Sequence, residues 1–256
     1  MSRRKGFAVL LCTLAFSAAL FTAVAQEHAH WTYEGEEGPS HWGELEAEFA
    51  LCSTGTTQSP IDIELNVGVN IDDIAFDYAG SALNILNNGH TIQVNYDAGS
   101  SITYGDVKYD LVQFHFHTPS EHTVAHEAAP MEVHFVHRSE SGALAVVGVM
   151  LTEGETANAA YAAVFDHLPA EESEATTMDA QVTALDMLPE TRTFFTYAGS
   201  LTTPPCSEGV RWLLLDTPVQ LSAEQIEAFK AIFELNARPV QPQNARDVIH
   251  DTGSGS

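Results

Sequence analysis

From Ser59 onward the apolar residues of the chain fall into short alternating or continuous runs. They are Ile61 to Leu65, Ala82 to Leu86, Thr91 to Tyr96, Val107 to His117, Met131 to His137, Leu144 to Leu151 and Val210 to Leu215. Turn sequences such as Asn87-Asn88-Gly89 and Asp97-Ala98-Gly99 separate several of them. This pattern predicts the strands of a large, mainly antiparallel sheet. Two segments break the period of two. Ser222 and Gln225 form a capping box ahead of Ile226, Phe229, Ile232 and Phe233, which share one helical face, so residues 223–234 are expected to be an amphipathic helix packed on the sheet. The Ala-rich stretch from Ala157 to Leu168, led by Thr156, is the second expected helix. Between Gln26 and Glu46 neither period is present, and Trp31, Tyr33, His41 and Trp42 are expected to pack an irregular segment onto the body. Glu171 to Glu174 reads as a solvated loop, and Asp251 to Ser256 as a disordered tail.

The first residues follow a different logic. Arg3, Arg4 and Lys5 precede an apolar run from Phe7 to Ala25 that closes on the small residues Ala23 and Ala25, the pattern of a secretory signal peptide cut after Ala25. That leaves one expected domain, residues 26–250, in the periplasm or the extracellular medium. Loss of the three basic residues leaves seven Lys and Arg against 35 Asp and Glu, a net charge of −28. Nucleic acid and anionic membranes are excluded as partners, because both are bound through cationic surface. The acidic excess also suggests a saline medium, where screening relieves self-repulsion. Processing leaves Cys52 and Cys206, for which an oxidising compartment predicts a disulfide, with two buried free thiols as the alternative.

Candidate chemistry lies in two of the strands. In the run from Leu111 to His117 alternation places Gln113, His115 and His117 on one face, and Val112, Phe114 and Phe116 on the other. The next run, Met131 to His137, places Glu132, His134 and Val136 together by the same rule. If the two strands are antiparallel neighbours, a third imidazole arrives beside the first two. Three neutral imidazoles suit Zn²⁺ and leave one tetrahedral position open, which is a catalytic arrangement rather than a structural one. Gln113 and Glu132 are placed to accept the free ring N–H of a ligand. His137 and His122 read as structural. A second reading takes His115, His117 and Glu121 as the first metal motif of a cupin, although no Gly follows Glu121 at the cupin distance and no cupin Asn follows His134.

The segments Gln58-Ser59-Pro60-Ile61-Asp62-Ile63, Asn87-Asn88-Gly89-His90, Gln113 to His122, Glu132 to His137, Gly199 to Pro205 and Asn236 to Gln241, in this order, closely resemble the α-carbonic anhydrase family. The resemblance implies zinc on His115, His117 and His134, and reversible conversion of carbon dioxide to bicarbonate. It implies that Thr202, held by Glu121, orients the nucleophile, and that Val136, Val146, Leu201 and Trp212 form an apolar substrate wall with Thr203 on the bicarbonate side. His90 matches the proton shuttle, Tyr33 a residue that orders the connecting waters, Asn236 a support behind the ligands, and Cys52 with Cys206 the disulfide of exported members. Thr32, Thr57 and Ala198 depart from the family's commoner residues without touching a ligand. The implied fold is a large, twisted, mostly antiparallel sheet with peripheral helices and the zinc at the bottom of a cleft. Exported members include dimers, so a homodimer is compatible with the resemblance. A non-catalytic zinc or ligand-binding module of the same fold is the alternative function.

Overall fold

The computed structural model describes residues 29–64 and 68–253; the expected signal peptide and the last three residues of the expected tail lie outside them. Among the described residues no helix is long and apolar enough to cross a membrane.

The alternating runs become one twisted sheet. Its path crosses Thr176–Val182, Ser81–Asn87, Ile92–Asn95, Val107–His117, Met131–Ser139, Leu144–Gly154, Glu208–Ser222, Phe194–Ser200 and Ile249–Asp251, in that spatial order. Ser101–Tyr104 pairs with the lower half of Val107–His117 and carries Ala75–Asp77 on its outer side. The sheet is antiparallel except where Leu144–Gly154 runs parallel to Glu208–Ser222, so it is mixed. A small second sheet joins Asp62–Ile63, Thr123–Val124 and Glu127–Ala128.

Alternation along each strand sorts residues to two cores. Phe114, Phe116, Val133, Phe135, Val147 and Leu213 face the larger one, which Tyr161, Phe165, Ile226 and Phe229 of the helices Ala159–Phe165 and Ala223–Lys230 close from outside. Ile61, Val146, Phe195, Tyr197, Trp212 and Leu214 form the smaller core on the opposite face. A third cluster packs Trp42, Phe49 and the linked Cys52 and Cys206, with Trp31 and Tyr33 laid over it. The N-terminal aromatic residues therefore dock as expected, except His41, which is exposed.

Several boundaries differ from expectation for identifiable reasons. The first helix starts at Ala159 because Asn158, not Thr156, caps it, its side-chain oxygen accepting from the Ala160 amide. The second keeps its capping box but ends at Lys230, and Ile232 and Phe233 continue onto the core in a turn. Val112 does not share the face of Phe114 and Phe116. A register shift against Met131–Ser139 falls between Leu111 and Gln113, so Leu111 is buried on the core side and Val112 is exposed. Asp251 does not begin a free tail, because its buried carboxylate accepts from the amides of Ile71 and Gly253 and closes the last strand.

Candidate metal centre

The register of the two central strands sets His115 directly across from His134, with His117 opposite Glu132. One ring nitrogen from each of His115, His117 and His134 lies within 4.8 Å of those of the other two. The three rings meet edge to face or tilted, with centroids 4.6 to 5.3 Å apart. The remaining nitrogen of each is committed. His115 Nδ1 donates to Gln113 Oε1 at 2.8 Å, His117 Nδ1 to the Asn236 carbonyl at 2.7 Å, and His134 Nε2 to Glu132 Oε1 at 2.8 Å. An acceptor on one nitrogen fixes the tautomer, which leaves a lone pair on His115 Nε2, His117 Nε2 and His134 Nδ1. His117 Nε2 is buried and has no hydrogen-bond partner. A buried, unpaired, convergent nitrogen is costly in an apolar setting and is what a metal ligand set requires, so these residues fit a tetrahedral zinc.

The surrounding groups fix the rings and act on their protonation in opposite directions. Burial, reinforced by the neighbouring His117 and His134, holds His115 well below the usual imidazole range, and burial also lowers His117. Burial acts on His134 in the same direction, but the Glu132 charge and hydrogen bond outweigh it and raise that group overall. Glu132 resists the upward push of its own burial because His122 and His134 hold it well below the carboxylate range. Its Oε1 accepts from His122 Nδ1 and His134 Nε2, and its Oε2 from the amides of Glu121 and His122, all at 2.8 or 2.9 Å. The chain of bonds continues from His122 Nε2 to the Tyr197 hydroxyl at 2.6 Å, and from there to Ser59 Oγ at 2.9 Å. His122 is therefore structural, as expected. Asn236 anchors the ligand strand a second time, accepting from the Thr118 amide and donating to the carbonyls of His90 and Phe116.

His115 and His117 open onto a cavity of about 120 Å³ also lined by Tyr33, His90, Gln113 and Thr203. Val146 and Trp212 belong to the smaller core and Val136 and Leu201 pack against it, so the four expected wall residues share one apolar cluster, while the residues lining this cavity are others. Trp212 meets the His134 ring edge to face at 4.8 Å and donates from Nε1 to the Ser200 carbonyl. His90 is aimed by a local device: the Asn88 side-chain oxygen accepts from the amides of His90 and Thr91, while Gly89 takes φ +83°. Its ring stacks on Trp31 with centroids 3.6 Å apart. The Tyr33 phenol, pushed well above its ordinary range by burial and by the Glu121 charge, stays protonated.

One expected contact is not formed. Glu121 Oε1 accepts from the Arg238 amide at 2.9 Å, but Oε2, expected to take the Thr202 hydroxyl, has no hydrogen-bond partner and turns toward His117 Nε2 at 3.5 Å and His134 Nδ1 at 3.8 Å. The orphaned carboxylate oxygen thus lies on the side where the three imidazoles converge. Thr202 itself is buried, next to Leu201, whose amide donates to the Ser207 carbonyl. Cys52 and Cys206 form the disulfide, and the Cys206 amide donates to Thr203 O at 2.8 Å, tying the cross-link to the cavity wall.

Residues the sequence did not single out complete the support. Gln93 faces the cavity beside His115, which the alternation of Ile92 and Val94 around it already implied. The Arg238 guanidinium, buried, donates to Gln58 Oε1, Ser59 O and Cys52 O, and burial lowers it to about 10. Nothing local in the sequence marks that role. The cupin reading is overturned, because the fold is one large mixed sheet and not a cupin's barrel.

The family model described as eukaryotic-type carbonic anhydrase matches residues 37–252. A carbonic anhydrase of Pectobacterium atrosepticum is 41% identical over 234 residues, covering 91% of this chain and 96% of that protein. One from a Nostoc species is 43% identical over 240 residues, 91% of this chain and 90% of its own. Among solved structures, the alpha-carbonic anhydrase of Thermovibrio ammonificans in complex with the inhibitor sulfanilamide superposes with a TM-score of 0.84 at 42% identity, covering 87% of this chain and all of that one.

Proposed function

The chain belongs to the eukaryotic-type, or alpha, carbonic anhydrase family and is an enzyme of the reversible hydration of carbon dioxide; from that premise we propose that it works as a zinc enzyme with His90 carrying the proton out. The observation that supports this most directly is the set of three imidazoles, each tied at one nitrogen and free at the other, with the free nitrogens converging. His115, His117 and His134 hold the zinc. When bound, zinc lowers the pKa of a coordinated water so that a nucleophile exists at neutral pH, an effect for which carbonic anhydrase is itself the standard example.

The protein supplies everything else. Val136, Val146, Leu201 and Trp212 give carbon dioxide an apolar wall with no competing hydrogen-bond donor, and Thr203 meets bicarbonate on the other side. With the site loaded, Glu121 accepts the Thr202 hydroxyl; in the structure its Oε1 is fixed by the Arg238 amide and its buried Oε2 makes no hydrogen bond, so that oxygen is available for the role. Each hydration releases a proton that must reach solvent. An imidazole that titrates near neutrality relays it best, and His90 stands at the cavity wall beyond Tyr33. We assign the protein to the periplasm or extracellular medium, where a Cys52–Cys206 disulfide persists.

Stopped-flow hydration of carbon dioxide, before and after zinc removal and with His115→Ala alongside, tests the reading. Fast hydration, lost on chelation, restored by zinc and absent in His115→Ala, is expected. A folded, zinc-loaded protein that does not hydrate carbon dioxide would overturn it in favour of a binding module.

A further inference from the structure

Two cavities meet at His90. The inner one, about 120 Å³, holds His115, His117 and Thr203; the outer one, about 220 Å³, is bounded by His30, Glu34, Phe233 and Leu235. Trp31, Tyr33 and His90 line both. Trp31 does not ionise and the Tyr33 phenol stays protonated, so His90 is the one group of the three that can accept a proton on the inner side and release it on the outer. A shuttle that discharges into a half-enclosed pocket needs a next acceptor there. The outer pocket contains a second imidazole, His30, whose Nδ1 lies 3.0 Å from Glu37 Oε2, with the His30 side chain 72% and the Glu37 side chain 50% exposed.

We propose that His30, paired with Glu37, is the outer proton station: it takes the proton that His90 brings out and passes it to solvent. This rests on the reading of His90 as the shuttle. With its Nδ1–H donated to the Glu37 carboxylate, His30 offers Nε2 as acceptor. The proton leaves imidazolium His90 for His30 Nε2 through water in the outer pocket that both line, and the cationic His30 is balanced by Glu37 until buffer or water removes the proton. Both imidazoles end neutral. The charged groups that act on His90 fit this direction. Burial lowers it, a cationic His30 lowers it further, and Glu172, from the loop that faces Gly89, acts in the opposite sense. Glu34 is the remaining carboxylate at the outer pocket.

The test uses the zinc-loaded mature protein with His30→Ala, Glu37→Gln, His90→Ala and the His30/His90 double variant. In weak buffer His30→Ala is expected to lower kcat roughly threefold while kcat/KM holds, a loss confined to proton transfer, and concentrated imidazole buffer restores it. Glu37→Gln gives a smaller loss of the same kind. In the His90→Ala background removal of His30 has no further effect. A nuclear magnetic resonance titration supplies a readout independent of turnover, in which the His90 ring titrates at higher pH in His30→Ala than in wild type. If His90→Ala lowers kcat in weak buffer but His30→Ala does not, or if His30→Ala lowers kcat and kcat/KM alike, or if the His90 titration does not move, the outer station is overturned while the shuttle stands. If His90→Ala is itself silent, the shuttle reading fails, and the station with it.

Discussion

His134 and His137 stand three residues apart on one strand and meet opposite environments. His134 faces the site and is held above its ordinary range by Glu132, whereas His137 faces the larger core, bonded at 2.6 Å to the Tyr78 hydroxyl, and burial pushes it down to about 3. The unfolded chain takes up a proton on His137 below about 6.5, but the folded one does not until about pH 3, so stability falls as pH drops through that window by up to about 1.4 kcal/mol per unit. In His137→Gln, which keeps an acceptor for Tyr78, urea unfolding between pH 7 and 4 should show a slope shallower by up to one proton; equal slopes would mean that His137 is not buried in its neutral form. Gly148 makes a second residue-scale case. A Cβ there would sit 2.8 Å from Leu214 Cδ1 and 3.0 Å from Glu132 Oε1. The leucine end can move, but the oxygen holds two ring N–H groups and cannot. Gly148→Ala should cost about 1–3 kcal/mol of stability and weaken zinc binding by roughly tenfold or more in competition with a chelator. The phasing of His115 with His117, and of His134 with Glu132, was legible because alternation within a strand is local information. The Gly148 contact and the Arg238 bonds to residues up to 186 positions away were not, since only the folded register brings them together.

At the scale of elements, legibility followed the same divide. Val107–His117 was readable to its ends because its apolar alternation is long, whereas the bulge at Val112 left no mark, since a valine fits either face of a strand. The edge strands Ala75–Asp77 and Thr176–Val182 are largely exposed and carry too few apolar residues to show a period, and Ile249–Asp251 is specified by one carboxylate, Asp251, rather than by a pattern. The helix Ala223–Lys230 was legible from its capping box, yet its cap does more than close a helix. Gln225 Oε1 accepts from the Ser222 and Asn158 amides, and Gln225 Nε2 donates to the Asn158 carbonyl, so the N3 residue of one helix is bonded to the N-cap residue of the other. Ser222→Ala should therefore cost about 1 kcal/mol, as an ordinary cap does, and Gln225→Ala about 2 kcal/mol or more, because buried partners at Asn158 are left unpaired as well. Urea unfolding of the two single variants checks the order. Equal losses would mean that the link between the helices contributes nothing.

The whole molecule carries a charge that its fold does little to neutralise internally. The 256-residue chain has 35 acidic against 10 basic residues. Two of the strongest cations are spent on backbone oxygens: Arg238 bonds Ser59 O and Cys52 O from inside the core, and Arg246 bonds the carbonyls of Ala198, Pro242 and Gln243. The lysine pairs described, Lys108 with Asp110 and Lys230 with Glu227, are exposed at 3.6 and 3.3 Å, where such pairs contribute little. The acidic excess is thus a surface property, and it destabilises the compact state through repulsion that acts over the Debye length. That length falls from about 30 Å at 0.01 M salt to about 3 Å at 1 M, short enough to isolate most surface carboxylates from one another. Between those concentrations of sodium chloride the melting temperature should rise by about 5 °C, the response to roughly 2 kcal/mol in a domain of this size. Most of the rise should come below about 0.2 M, where screening changes fastest, because a gain spread evenly to 1 M would report exclusion of salt from apolar surface instead. A melting temperature that stays level across the series would show that the carboxylates are far enough apart to tolerate one another in dilute medium, and would remove the inference that this composition suits a saline one.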